Sequence, residues 1–368
     1  MSKKTRKIFK KLKYYSIFTI IILVIAEVIL SLLEVVPDNY YVNTPNSGFV
    51  WEINHDEITG IHQDSEVFFD ELGARSISDY ENKDHKIVVF GGSTTACFAL
   101  TQQKTWSALL EKKMGNSYWV GNFGRPGNSS NHHTLQFKHV LEKPELSDTK
   151  TVLIMQGVND FVAYLISSER YLNSPEQKLK KFAFQHIPDD HLPFYKRLTL
   201  YKLASKAKRN LAFYFKHQDH LTKTVVSIKE LKKQSKIIEE LPDLQAGLAH
   251  YEANIKNIIQ QAKAKNINLV FITQATMWKP NLEPKYEDLM LTSGFQNNEA
   301  FYSTEALYAG MEIFNERLIN ICKQENIPCI DLKLPKTTES FYDDFHFNES
   351  GAELTAEQVS KELKVILE

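Results

Sequence analysis

Cysteine is scarce: the 368 residues hold three. Such a chain is not built around disulfides. Cys322 and Cys329 read as ordinary buried thiols, and spacing alone does not bring them within bonding distance. Metal-ligand spacing is lacking too. His132 and His133 are adjacent, so their side chains diverge, and no other His/Cys cluster occurs; neither a metal nor any other cofactor is expected. An excess of one charge is absent overall, with 44 Lys and Arg against 45 Asp and Glu for a net charge of −1. With 43% apolar and 24% charged residues the chain is not disordered by composition, and its length suits one large domain, or one domain with an insertion.

Acidic residues are missing from the first 13 positions, which carry seven basic ones. The run YYSIFTIIILVIAEVILSLLEVV, Tyr14 to Val36, follows, long enough as a helix to cross a bilayer core of about 30 Å. Its apolar residues occupy every helix face, which disfavours the core helix of a soluble domain. A cleaved signal peptide is the rival, but SLLEVVPDNY lacks the small-residue cleavage site. The expectation is a basic cytoplasmic tail (1–13) and an uncleaved transmembrane anchor (14–36), with everything beyond facing outward, periplasmic or extracellular. Glu27 inside the span costs about 2.5–3.5 kcal/mol if central. The surrounding Ile, Leu and Val outweigh that cost, and contact with a partner helix is the functional alternative.

Residues 37–80 lack sustained periodicity and read as a linker and lead-in. From 81 to 368, short Val- and Ile-rich runs at 87–90, 118–122, 152–155, 269–272 and 329–332 alternate with helix-like stretches such as TWSALLEKKMG and LAHYEANIKNIIQQAKAK. That alternation predicts a parallel sheet of five strands covered by helices on both faces. Ligands in such sheets bind at the carboxyl ends of the strands. The interval 161–245 interrupts the pattern. Its segment from His191 to Lys236 holds twelve Lys and Arg against two acids, interleaved with aromatics as in LPFYKRLTLYKLASKAKRNLAFYF. A lid, a solvated helical insertion, and a surface resting on anionic headgroups beside the anchor are the readings. Nucleic acid is not expected as the partner of an outward-facing domain whose remainder is acidic.

The stretch KIVVFGGSTTACF places Ser93 at the carboxyl end of the first strand of that sheet, with a helix expected from Thr94 onward. A phosphate loop would need a Lys after the glycines, and none stands at that spacing. The Gly-x-Ser-x-Gly elbow has Thr95 in place of its last glycine. A plain helix cap is the remaining bland reading. The far C-terminus changes the balance: in ESFYDDFHFNESGAEL an Asp343-x-x-His346 pair precedes a helix starting near Glu349. Such an Asp can hold the imidazole through its Nδ1 proton and leave Nε2 free to take a proton from a serine. Asp344 is the rival carboxylate, at poorer spacing, and metal ligation is the alternative use of the pair. NFGRPGNSS follows the second strand with Gly124 and Gly127, and LIMQGVNDF follows the third with Asn159; backbone N–H groups and a side-chain amide there could reach an oxyanion. Cys97, His133 and Gln274 are further candidates for the lining, with packing the plainer role for each.

Taken together these motifs resemble the SGNH, or GDSL-like, hydrolase superfamily. FGGSTT is similar to its first block, with Ser93 as nucleophile and Gly92 where many members have Asp. NFGRPGNSS is similar to the second, with Gly127 as the oxyanion glycine and Gly124 the fallback; QGVND to the third, with Asn159 as the oxyanion amide; and DDFHFNESGA to the last, with Asp343 and His346. FFDELGARS and FITQATMW also resemble a membrane-anchored bacterial branch with a GGST-type first block. The resemblance implies a flavodoxin-like three-layer α/β/α sandwich and ester chemistry, with Ser93, His346 and Asp343 catalytic and Gly127 and Asn159 forming the oxyanion hole. The implied function is an outward-facing serine esterase removing O-acyl groups, acetyl by preference, from a surface glycan or glycolipid. An O-acyltransferase with the same residues, a lipase on lipid esters, and a non-catalytic envelope scaffold are the alternatives.

Overall fold

The apolar runs do form one parallel sheet. The computed structural model describes residues 3–33, 35–36, 39–55, 58–188, 193–216, 235–290, 294–295, 300–335 and 337–368. The chain begins with helix α1 (Lys3–Leu32). Strands β1 (Ser47–Trp51) and β2 (Ser65–Phe69) then pair as an antiparallel hairpin inside the stretch read as linker and lead-in. Next come β3 (His85–Gly91), the four-residue helix α2 (Ser93–Ala96), α3 (Trp106–Met114), β4 (Tyr118–Asn122), α4 (Ser130–Val140) and β5 (Thr151–Met155). Helices α5 (Val158–Ile166), α6 (Ser168–Asn173), α7 (Glu176–Ala183), α8 (Phe194–Arg197) and α9 (Thr199–Lys216) follow. Then come β6 (Lys236–Ile238), α10 (Gln245–Lys265), β7 (Asn268–Ile272), β8 (Gly294–Phe295), β9 (Ala300–Tyr302), α11 (Thr304–Glu325), β10 (Cys329–Ile330) and α12 (Glu349–Leu367). Of the basic interval, residues 217–234 lie outside the described residues.

The chain divides into two compact units, one of residues 1–39 and 187–218, the other of 40–186 and 219–368. In the second unit the sheet order is β10-β7-β5-β3-β4, all parallel. Numbered along the chain this is 2-1-3-4-5, the flavodoxin-like order, whose switch point lies between β3 and β5. The central strands are buried along nearly their whole length, as VLIM in β5 and LVFI in β7 require for a sheet covered on both faces. Helices α3 and α12 pack together, and α4, α5, α10 and α11 form a second helical group.

Local chemistry sets the helix limits. The Thr105, Ser303 and Asn348 side chains accept from the amides of Ala108, Ala306 and Gly351, capping α3, α11 and α12. Asn266 and Asn326 close α10 and α11 in left-handed conformation. The helix expected from Thr94 is short, because Cys97 adopts the left-handed region (φ 49°) and ends it.

In the first unit, α1 includes an apolar stretch, Lys10–Leu32, long and apolar enough to cross a membrane and not buried against the protein. Helix α9 packs against it.

Candidate active site

Ser93 is the first residue of α2, directly after β3 and partly exposed. The turn before it demands glycine on steric grounds: a β-carbon at Gly91 would overlap the Thr95 hydroxyl, and one at Gly92 would overlap the Asn159 amide. Beyond Ser93, Trp106 Nε1 donates to the Thr94 carbonyl at 3.1 Å, and Thr94 Oγ1 donates to Gln274 Oε1 at 3.0 Å. The buried Arg75 guanidinium binds the end of α2 and the loop after it. Its Nη1 donates to the Ala96 and Cys97 carbonyls, both at 2.8 Å, and its Nη2 to the Leu100 carbonyl.

His346 reaches Ser93 from the loop before α12. The Asp343 carboxylate accepts the amides of Phe345 (3.1 Å) and His346 (2.9 Å) at Oδ1, which fixes the loop, and lies 2.6 Å from His346 Nδ1 at Oδ2. An ionised carboxylate only accepts, so Nδ1 carries the proton and the Nε2 lone pair of the neutral ring faces Ser93 Oγ at 2.7 Å. Burial pulls the His346 pKa down, but the charge and hydrogen bond of Asp343, with Asp344 adding to them, outweigh it and hold the pKa above 6.5. The rival Asp344 is buried and accepts Trp278 Nε1 at 3.0 Å. Tyr342 stacks on the imidazole, ring centroids 5.6 Å apart at 11°.

Asn159 brings an amide up to the turn before the serine. Asn159 lies in the first turn of α5 and donates from Nδ2 to the Asn128 carbonyl at 2.8 Å, with the same nitrogen against Gly92. Gly127, directly before Asn128, has φ +77°, a conformation that favours glycine. The Gly124 amide is already engaged, donating to Asn122 Oδ1 at 2.8 Å, and its Cα packs against Ala96. Asp160, next to Asn159, ties α5 to α4 and α6: it accepts Ser130 N at 3.1 Å, Ser130 Oγ, and the Tyr171 hydroxyl at 2.6 Å. Burial pushes its carboxyl up to about 6 against those hydrogen bonds.

The other candidates are buried and hydrogen-bonded within the protein. His133 is buried in the core with Nδ1 3.1 Å from Gln156 Oε1, and burial pushes its pKa down to about 4. Gln274 is buried and reaches Thr94, one residue beyond Ser93. Cys97 Sγ donates to the Thr94 carbonyl, and burial pushes its thiol up to about 12. All three cysteines are free. Among the described residues no group of three His, Cys, Asp or Glu could hold a metal ion. Sequence reasoning missed Arg75 and Asp160. The signals available for them were an isolated Arg in ELGARS and the acid beside Asn159 in QGVND. It also missed Phe182, half exposed, whose ring packs on Gly127 and lies 5.1 Å from the His132 ring.

A hydroxyl facing an imidazole that is backed by a carboxylate is an arrangement able to transfer acyl groups. The family model described as the GDSL-like Lipase/Acylhydrolase family matches residues 89–354, a span that takes in both Ser93 and His346. The chain belongs to this family. As a GDSL-like protein it is an ester hydrolase. Similar solved structures include the acetylxylan esterase Axe2 from Geobacillus stearothermophilus, at 14% identity over 77% of this chain and 96% of that one, TM-score 0.40. The psychrotrophic esterase EstA from Pseudoalteromonas sp. is 12% identical over 77% and 99%, TM-score 0.38, and TesA 13% identical over 77% and 99%, TM-score 0.39. No curated protein matches the sequence.

Proposed function

We propose that this GDSL-like hydrolase is a membrane-anchored serine esterase that removes O-acyl groups, acetyl by preference, from a cell-envelope glycan or glycolipid. The observation that carries the chemistry is His346, hydrogen-bonded to Asp343 on one side and to Ser93 on the other. The apolar helix α1 behind its basic tail supports the location, with the N-terminus cytoplasmic and the hydrolase domain (81–368) outward, beyond the tail (1–13), anchor (14–36) and lead-in (37–80).

In this reading Ser93 Oγ attacks the acyl carbon as its proton passes to His346 Nε2. The Gly127 amide and the Asn159 side chain stabilise the oxyanion of the tetrahedral intermediate. Collapse breaks the ester bond, and the leaving sugar oxygen takes the proton from Nε2. Water then attacks the acyl-enzyme, giving its proton to Nε2, and the second collapse returns that proton to Ser93 and frees the acid.

The test treats the protein with a serine-directed fluorophosphonate and compares acetyl with long-chain esters, with and without sugar acceptors. Labelling at Ser93 with preference for acetyl esters is expected. Absence of labelling would sink the serine mechanism, preference for long chains would favour a lipase, and acceptor-dependent transfer would favour an acyltransferase.

A further inference from the structure

The anchor carries an acidic residue that has a partner. Glu27 of α1 accepts the Thr199 amide at 2.6 Å through one carboxylate oxygen and the Leu200 amide at 2.9 Å through the other. These are the first two amides of α9, which have no acceptor within their own helix. Their capture by a carboxylate stabilises the helix start and satisfies a charge that is costly in an apolar span. Glu27 stands five residues before Leu32, the end of the apolar stretch, hence about 7 Å inside it along the helix. Interfacial amphipathic helices sit about 5–10 Å into the boundary between headgroups and acyl chains. Helix α9 therefore starts at the depth such a helix occupies.

The segment has matching side chains. Residues 193–216 carry seven Lys and Arg and no acid. Phe194 and Tyr195 are exposed by 78% and 54%, Tyr201 by 41%, and the Tyr195 and Tyr201 rings meet edge to face at 5.6 Å. Lys196 Nζ lies 5.9 Å from the Tyr195 ring, and Arg197 and Lys208 are exposed. Aromatic rings at the interface beside basic groups suit a layer of anionic headgroups.

We propose that α8 and α9 form a headgroup-binding element, hung from the anchor by Glu27, that lies in the surface of the membrane spanned by α1 and binds anionic lipid. This rests on the anchor reading above. The test follows amide hydrogen exchange in the full chain reconstituted in vesicles of phosphatidylcholine alone or mixed with phosphatidylglycerol. Amides of 194–202 are expected to exchange more slowly in the anionic vesicles, by up to about a hundredfold if three basic residues contribute about fivefold each. Lys196→Glu/Arg197→Glu/Lys208→Glu should abolish that difference while Thr199 and Leu200 stay protected. Glu27→Ala should expose those two amides in both lipids. Turnover of a small soluble ester should be unchanged in both variants. Equal exchange in the two lipids, or an unaltered difference after charge reversal, would overturn the proposal. Protection of α1 separates the readings: α1 exchanging freely sinks the anchor itself, whereas a protected α1 with an unprotected α8–α9 sinks this inference alone.

Discussion

The Asn159 side-chain amide occupies the place a β-carbon would take at Gly92. The φ of Gly92, −86°, is not the left-handed conformation that favours glycine, and space is what a side chain there would lack. Gly92→Ala should leave the fold intact and push Asn159 away from the serine. We expect kcat to fall by about 10–10²-fold with KM little changed, against about 10²–10³ for Asn159→Ala. The two losses should not add in the double variant, because both remove the same donor. Steady-state kinetics on an acetyl ester with the four enzymes checks this, and full additivity would refute it.

Removing the hydroxyl is more severe. Ser93→Ala and His346→Ala are each expected to lower kcat by about 10⁴ or more, and to lose little further when combined. Fluorophosphonate labelling should vanish in Ser93→Ala. Near-normal turnover by purified Ser93→Ala would remove Ser93 from the mechanism.

The pH profile follows from His346. Only the neutral imidazole can accept the Ser93 proton, and the Asp343 and Asp344 charges hold its pKa above 6.5 despite burial. Activity should therefore fall as pH drops through a midpoint above 6.5. Asp343→Asn removes the stronger of the two charges, so that midpoint should move down, while the maximal rate drops by about 10⁴-fold as the ring loses its orienting acceptor. A kcat/KM profile of both enzymes tests the sign: an upward or absent shift would contradict the assignment.

Much of the sheet and of the Ser93–His346 pairing is legible in the sequence. VVF, VLIM and LVFI are apolar on both faces and admit little besides buried parallel strands, and the DDFH motif pointed to Ser93 from 253 residues away. The hairpin β1–β2 was not legible, since its two five-residue strands are separated by a loop too long to carry a hairpin turn signal. That the Gly124 amide is taken by the Asn122 side chain, two residues earlier, was not legible either, since nothing in NFGRPGNSS says which way that side chain turns. The helix expected after Thr94 also stops early. Cys97 turns left-handed where carbonyls of α2 and the following loop meet Arg75, a partner more than twenty residues upstream.

Arg75 is accordingly the residue whose removal should do most damage at a distance. Its guanidinium is buried, with Nε on Gln102 Oε1 at 2.8 Å and the η nitrogens on the carbonyls of Ala96, Cys97 and Leu100. Its backbone also exchanges both hydrogen bonds with Asn122, at the end of β4. Arg75→Met keeps the bulk but leaves three buried carbonyls without this donor, at about 1–3 kcal/mol for each left unsatisfied. We expect the denaturant midpoint to fall by the equivalent of about 3 kcal/mol or more. Because α2 begins with Ser93 and the Cys97 amide closes on the Ser93 carbonyl at 2.8 Å, loosening this turn should also misplace the nucleophile. A fall in kcat approaching 10²-fold under folded conditions, at little change in KM, is the expected signature. Arg75→Lys should restore neither property, since an ammonium cannot span carbonyls that a planar fork holds together. Full rescue by Lys would mean that charge alone is needed at this position and that the fork geometry is incidental.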